Sequence, residues 1–132
     1  MKGPPPLTLS LFTVCSVLWI GPFDLSAGDT ASGKGIYDQL CWRCHGRSGK
    51  SDGPVSDAMD PRPRDLTDRA YMSTVSDAQL LTVIKHGGPS VGKSPAMMAF
   101  KDVLSDDDIR AVVAYLRTLC CQRGDPLLRL EE

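Results

Sequence analysis

Five residues constrain this chain more than any others. Cys41-Trp42-Arg43-Cys44-His45 places two thiols three residues apart and an imidazole directly after the second. At the end of a helix, that spacing puts both sulfurs on one face and leaves the histidine free to turn toward whatever the sulfurs hold. It is the attachment pattern of a c-type haem, in which each thiol adds to a vinyl group and the histidine binds iron through Nε2. Three other readings of the same residues have their own requirements. A zinc site needs a fourth ligand, and the downstream thiols Cys120 and Cys121 are adjacent rather than spaced to chelate. A thioredoxin-type dithiol needs a βαβ context, yet no segment shows sustained strand alternation. A plain disulfide between Cys41 and Cys44 leaves His45 without a role.

The rest of the chain is ordinary globular material of 132 residues, 42% hydrophobic and 23% charged, which sets aside disorder, collagen and coiled coil. With 15 Lys+Arg against 16 Asp+Glu, the formal charge is −1. That lacks the basic excess that neutralises phosphates, so no nucleic-acid partner is expected. Lys2 precedes an apolar run of 14 residues, Leu7 to Ile20, broken only by Thr8, Ser10, Thr13 and Ser16. A bilayer core needs about 20 such residues. The run therefore reads as part of a secretory leader over residues 1–27, with cleavage after Ala27 in Ser26-Ala27-Gly28. Export places the product in the periplasm, where disulfides are tolerated; a membrane enters only if the leader stays uncleaved. Cys15 follows Val14 rather than a small residue and is not read as a lipid-attachment site.

Cleavage leaves 105 residues and five aromatic side chains, Tyr37, Trp42, Tyr71, Phe100 and Tyr115. A chain of that size has little core material and gains from a cofactor or disulfide. Three helices are expected. The first runs from about Ser32 to Cys44, with Ile36, Leu40 and Cys44 on one face. Residues 47–69, rich in Gly, Pro, Ser and Asp, form a long loop that wraps around something. A second helix starts at Ser76, whose capping box with Gln79 is plain, buries Leu80, Leu81, Val83 and Ile84, and ends at His86-Gly87. The third starts at Ser105 with Asp106, Asp107 and Asp108 in its first turn, and carries the stripe Ile109, Val112, Val113, Leu116 and Cys120. The fold class is all-α, with one domain over residues 28–122 and a tail of residues 123–132.

Haem iron has a second axial position, which a methionine thioether fills in high-potential electron carriers. Ser94-Pro95-Ala96-Met97-Met98-Ala99-Phe100 lies where such a ligand is needed, downstream of the second helix and before the last. Either methionine is a candidate, against the reading that both simply fill gaps in a loop. His86 is a weaker candidate, since it sits at a helix end where a cation suits the dipole.

Residues 30–120 resemble a small class I, mono-haem cytochrome c, in the order N-terminal helix, Cys-x-x-Cys-His, glycine-rich loop, Met loop and C-terminal helix. The resemblance implies a small cytochrome c fold with helices around one covalently bound haem c, attached through Cys41 and Cys44. The family's Met-Pro-Ala-Phe aligns with Met97-Met98-Ala99-Phe100. That selects His45 and Met97 as iron ligands, with Met98 in the proline's place as the alternative. It also implies that Pro54 accepts a hydrogen bond from His45 through its carbonyl, and that Gly35 and Tyr37 cross Tyr115 and Leu116 at close range. Arg62, Arg64 and Arg69 are candidates to pair with haem propionates. Cys120 and Cys121 have no role in the resemblance; a vicinal disulfide, a link to a partner, or two free thiols are all open.

With both axial positions filled, catalysis on small molecules is disfavoured, and one-electron transfer is the expected function, with no enzymatic activity of the chain itself. Redox proteins are the expected partners, met at the haem edge beside Arg43, Arg47, Lys93 and Lys101 as a locally basic rim. The alternative is a cytochrome c subunit of a larger periplasmic dehydrogenase or reductase complex.

Overall fold

The computed structural model describes residues 25–121 together with Gly3, with side chains from Asp29 onward. Among the described residues there are five helices and no strand, which agrees with the all-α expectation. They are α1 (Leu25–Leu40), α2 (Trp42–His45), α3 (Arg69–Met72), α4 (Asp77–His86) and α5 (Asp106–Cys120), with 3₁₀ turns at Ser56–Ala58 and Gly88–Val91. Apart from Gly3 and the backbone of residues 25–27, the expected leader lies outside the described residues, as does the tail of residues 123–132. No helix among the described residues is long and apolar enough to cross a membrane.

The principal helix pair is α1 against α5. A Cβ on Gly33 would meet the Ala111 carbonyl oxygen at 1.9 Å, so the two backbones touch there and only glycine fits. Gly35, expected at this crossing, faces open space instead. Helical spacing explains the shift. Gly33 and buried Tyr37 are four residues apart and share the inner face, whereas Gly35 points about half a turn away. Tyr37 meets Tyr115 edge to face at 5.2 Å between ring centroids, as the crossing requires.

The first helix is also longer and less regular than expected. It starts at Leu25 rather than Ser32, because extending a formed helix adds one hydrogen bond per residue. It then breaks at Cys41, whose φ of −106° opens the chain before the single turn of α2. Cys41 N–H still donates to Tyr37 O at 3.0 Å and His45 N–H to Cys41 O at 3.0 Å, so bonds of helical spacing continue across the break. Gly46, with φ of +80°, ends it in a conformation that suits glycine.

Both downstream helices begin as their sequences specify. Ser76 and Gln79 form the capping box of α4, and Ser105 and Asp108 that of α5. The buried face of α4 is Leu80 and Ile84. On α5 the buried set is Ile109, Val112, Val113 and Leu116 with Ala111 and Tyr115. Fully burying side chains like these stabilises the fold by about 1.5–3 kcal/mol apiece. The loop between α2 and α3 is pinned back by Leu66 N–H on Gly49 O at 2.7 Å. Its end holds the unforeseen α3, capped by Asp68, which accepts from Tyr71 N–H at 3.1 Å.

Arg117 fastens α5 to that region. Its guanidinium donates to Met72 O at 2.7 Å, to Val75 O at 2.5 Å and to Asp77 at 2.7 Å. One side chain thus satisfies the last carbonyl of α3 and one in the turn that follows, and pairs with a carboxylate in the first turn of α4.

Candidate haem site

The helices and the wrapping loop enclose a cavity of about 760 Å³, within the range of cofactor sites. Tyr37, Leu66, Met72, Leu80, Ile84, Val112 and Leu116, all core residues, face it. The break at Cys41 and the turn of α2 bring Cys41, Cys44 and His45 together onto its wall, as the pentapeptide spacing predicts. Both thiols are free and half-buried. Burial and the neighbouring Cys44 push the Cys41 thiol up to about 11, so it is protonated at neutral pH.

His45 Nδ1 lies 3.1 Å from the Arg64 carbonyl oxygen. A carbonyl only accepts, so Nδ1 carries the hydrogen and Nε2 is left as the lone-pair donor. Burial holds the imidazole below its ordinary pKa and so favours the neutral ring that a metal needs, and the bond to Arg64 offsets that lowering in part. The partner differs from the one expected. Pro54 is exposed and lines a separate small cleft with Trp42, Arg47 and Asp52. Arg64 reaches His45 because the wrapping loop folds back across the end of α2, bringing a residue 19 positions away to the ring. The accepting atom belongs to the backbone, which leaves no trace in residue identity.

Met97 also faces the cavity, whereas Met98 is 64% exposed and does not line it. Backbone bonds fix that loop to the end of α4. Gly88 N–H donates to Met97 O at 2.8 Å, Phe100 N–H to Ile84 O at 3.0 Å and Lys101 N–H to Lys85 O at 3.1 Å. His86, the last residue of α4, does not line the cavity.

Among the candidate cations, Arg62, Arg64 and Lys93 line the cavity and Arg69 does not. Arg62 is paired with Asp57 at 2.7 Å, and Arg64 lies over the Tyr71 ring at 4.1 Å. The basic rim is partly neutralised. Lys101 pairs with Asp102 at 2.9 Å, and Arg47 covers Trp42 at 4.3 Å. Cys120 and Cys121 are joined in a disulfide, which removes them as zinc ligands.

The donor set fits a haem. Two thiols and an imidazole with a free Nε2 share a wall, a thioether faces the same space, and apolar side chains supply the surroundings a porphyrin requires. A helical frame with this site defines a c-type cytochrome. Over residues 28–116 the chain matches the family described as "Cytochrome C oxidase, cbb3-type, subunit III", and it belongs to that cytochrome c family. It is 33% identical over 98 residues to "Cytochrome c-554(547)" of Halothiobacillus neapolitanus, covering 70% of this chain and 99% of that protein. Among solved structures it is similar to the KustC0563 c-type cytochrome, with 26% identity, a TM-score of 0.56, and coverage of 67% of this chain and 96% of that one. It also resembles a chain of the Kuenenia stuttgartiensis reducing HAO-like protein complex Kustc0457/Kustc0458. There the identity is 27% and the TM-score 0.56, over 69% of this chain and 42% of that chain.

Proposed function

We propose that this chain is a periplasmic carrier of single electrons on one haem c, bound through Cys41 and Cys44 and ligated by His45 and Met97. The observation that carries this reading is that Cys41, Cys44, His45 and Met97 line one cavity while Met98 faces solvent. When bound, the haem supplies one-electron exchange between ferric and ferrous iron. The chain's own residues set the conditions for that exchange. His45 is held as the Nδ1–H tautomer by Arg64, so Nε2 is the donor. The soft thioether of Met97 favours the reduced state, and the apolar wall disfavours the extra charge of the oxidised one. With two protein ligands assigned, small molecules have no open position, so the chain acts as a carrier rather than a catalyst.

The test is the absorption spectrum of the exported protein with two variants. Met97→Ala abolishes the weak far-red band of Met-to-iron ligation, and Met98→Ala preserves it. The opposite pattern, or no band in the parent, moves the sixth ligand elsewhere.

The likeness to a chain of the HAO-like complex favours a second reading, a subunit of a larger periplasmic reductase or dehydrogenase. Size-exclusion chromatography of the native extract separates the two. A carrier elutes at the size of the single chain, whereas a subunit co-elutes with its partner.

A further inference from the structure

Ser51 belongs to no motif, yet it connects the two segments that meet at His45. It is 8% exposed and the only non-glycine with positive φ among the described residues, at +61°. L-residues seldom adopt that conformation, and such positions cluster where function requires them. Three bonds hold it there. Its N–H donates to His45 O at 2.9 Å, its hydroxyl donates to Pro63 O at 2.5 Å, and its carbonyl accepts from Arg62 Nη2 at 3.0 Å. Pro63 immediately precedes Arg64, whose carbonyl is the acceptor for His45 Nδ1. Ser51 is thus bonded both to the backbone of the histidine and to the strip of loop that orients its ring.

We propose that Ser51 is a positioning residue for the His45 imidazole: its hydroxyl fixes the 62–64 loop so that the Arg64 carbonyl stays on Nδ1–H. The proposal rests on the reading of His45 as iron ligand. A hydrogen bond from Nδ1 raises the basicity of the ligand toward iron and favours the ferric state. Releasing Pro63 loosens that bond, makes the imidazole a weaker donor and shifts the potential upward.

Two variants remove the hydroxyl with opposite consequences for the backbone. Ser51→Ala keeps the positive-φ cost, whereas Ser51→Gly relieves it. In the haem-loaded protein both are expected to raise the reduction potential. Both should also speed solvent exchange of the His45 Nδ1 proton, read by proton NMR, by about fivefold or more, the equivalent of one hydrogen bond of roughly 1 kcal/mol. Thr82→Ala, which removes an exposed hydroxyl bond to Ala78 O of 2.8 Å, leaves both quantities unmoved.

Parental potential and exchange in Ser51→Gly overturn the proposal, whatever Ser51→Ala does, because a change confined to alanine reports backbone strain alone. If Ser51→Ala does not fold, Ser51→Gly decides by itself. Absence of iron-shifted His45 ring protons in the parent overturns the ligand reading, and this proposal with it. Normal His45 signals with an unmoved Nδ1 proton in Ser51→Gly overturn this proposal only.

Discussion

At the residue scale, neighbours in sequence have opposite fates. Met97 and Met98 differ by one position, yet one lines the cavity and the other meets solvent. The backbone bonds of the 97–101 segment to the end of α4 decide which is which. Cys41 and Cys44 are expected to differ from them in being equivalent, each consuming one vinyl group. Cys44→Ser leaves one vinyl conjugated with the ring, so the pyridine haemochrome maximum moves to longer wavelength; an unchanged maximum contradicts attachment at Cys44. Arg117 is the residue whose loss is expected to cost most among the polar ones. Its side chain is 15% exposed and serves Asp77 and two carbonyls. Arg117→Ala leaves those carbonyls without their donor and lowers stability by about 2–3 kcal/mol, read as a shifted denaturant midpoint at unchanged slope.

At the scale of elements, the starts of α4 and α5 were legible because a cap is a local device, whereas those of α1 and α3 were not. Ser76 with Gln79, and Ser105 with Asp108, need only a serine and an acceptor three residues on. Asp108 is held below the ordinary carboxylate range, mainly by its bond from the Ser105 hydroxyl. A lowered folded-state pKa means stability that is present above the unfolded value and lost as pH falls through the folded one. The melting-temperature gap between the parent and Asp108→Asn therefore closes as the medium is acidified below the carboxylate range. A gap independent of pH contradicts the role of the charged form. Helix crossings were less legible. Leu116 follows from the stripe of α5, and Tyr37 and Tyr115 were expected only from the resemblance; whether Gly33 or Gly35 meets α5 depends on the rotation of α1, which local pattern does not fix. Gly33→Ala is expected to destabilise by about 1–3 kcal/mol or more, since the added carbon collides with backbone. Gly35→Ala, into open space, is neutral or stabilising by a few tenths to about 1 kcal/mol. Thermal melts of the two variants check the order.

At the scale of the whole molecule, the scarcity of aromatic core material and the size of the cavity have one explanation. A group large enough to fill about 760 Å³ is expected to be the centre of the core. At about 24 cal/mol per Å³, leaving half of that volume unfilled costs roughly 9 kcal/mol, comparable with the whole stability of a domain this size. The Cys41→Ser/Cys44→Ser double variant, made without bound haem, is therefore expected to lose its cooperative thermal transition by circular dichroism. That Cys41, Cys44, His45 and Met97 share one cavity was legible because the haem pattern they were read from asks for particular side chains at particular spacings. The Arg64 carbonyl and Ser51 were not, because one contributes a backbone atom and the other acts through a loop closed by long-range bonds. The central claim is a haem covalently held by Cys41 and Cys44, and extraction of the purified exported protein with acidified organic solvent tests it most directly. Colour that stays with the polypeptide, with a mass increased by one haem, is the predicted result. Colour that passes into the solvent, or a colourless protein from cells with a haem-attachment system, contradicts it.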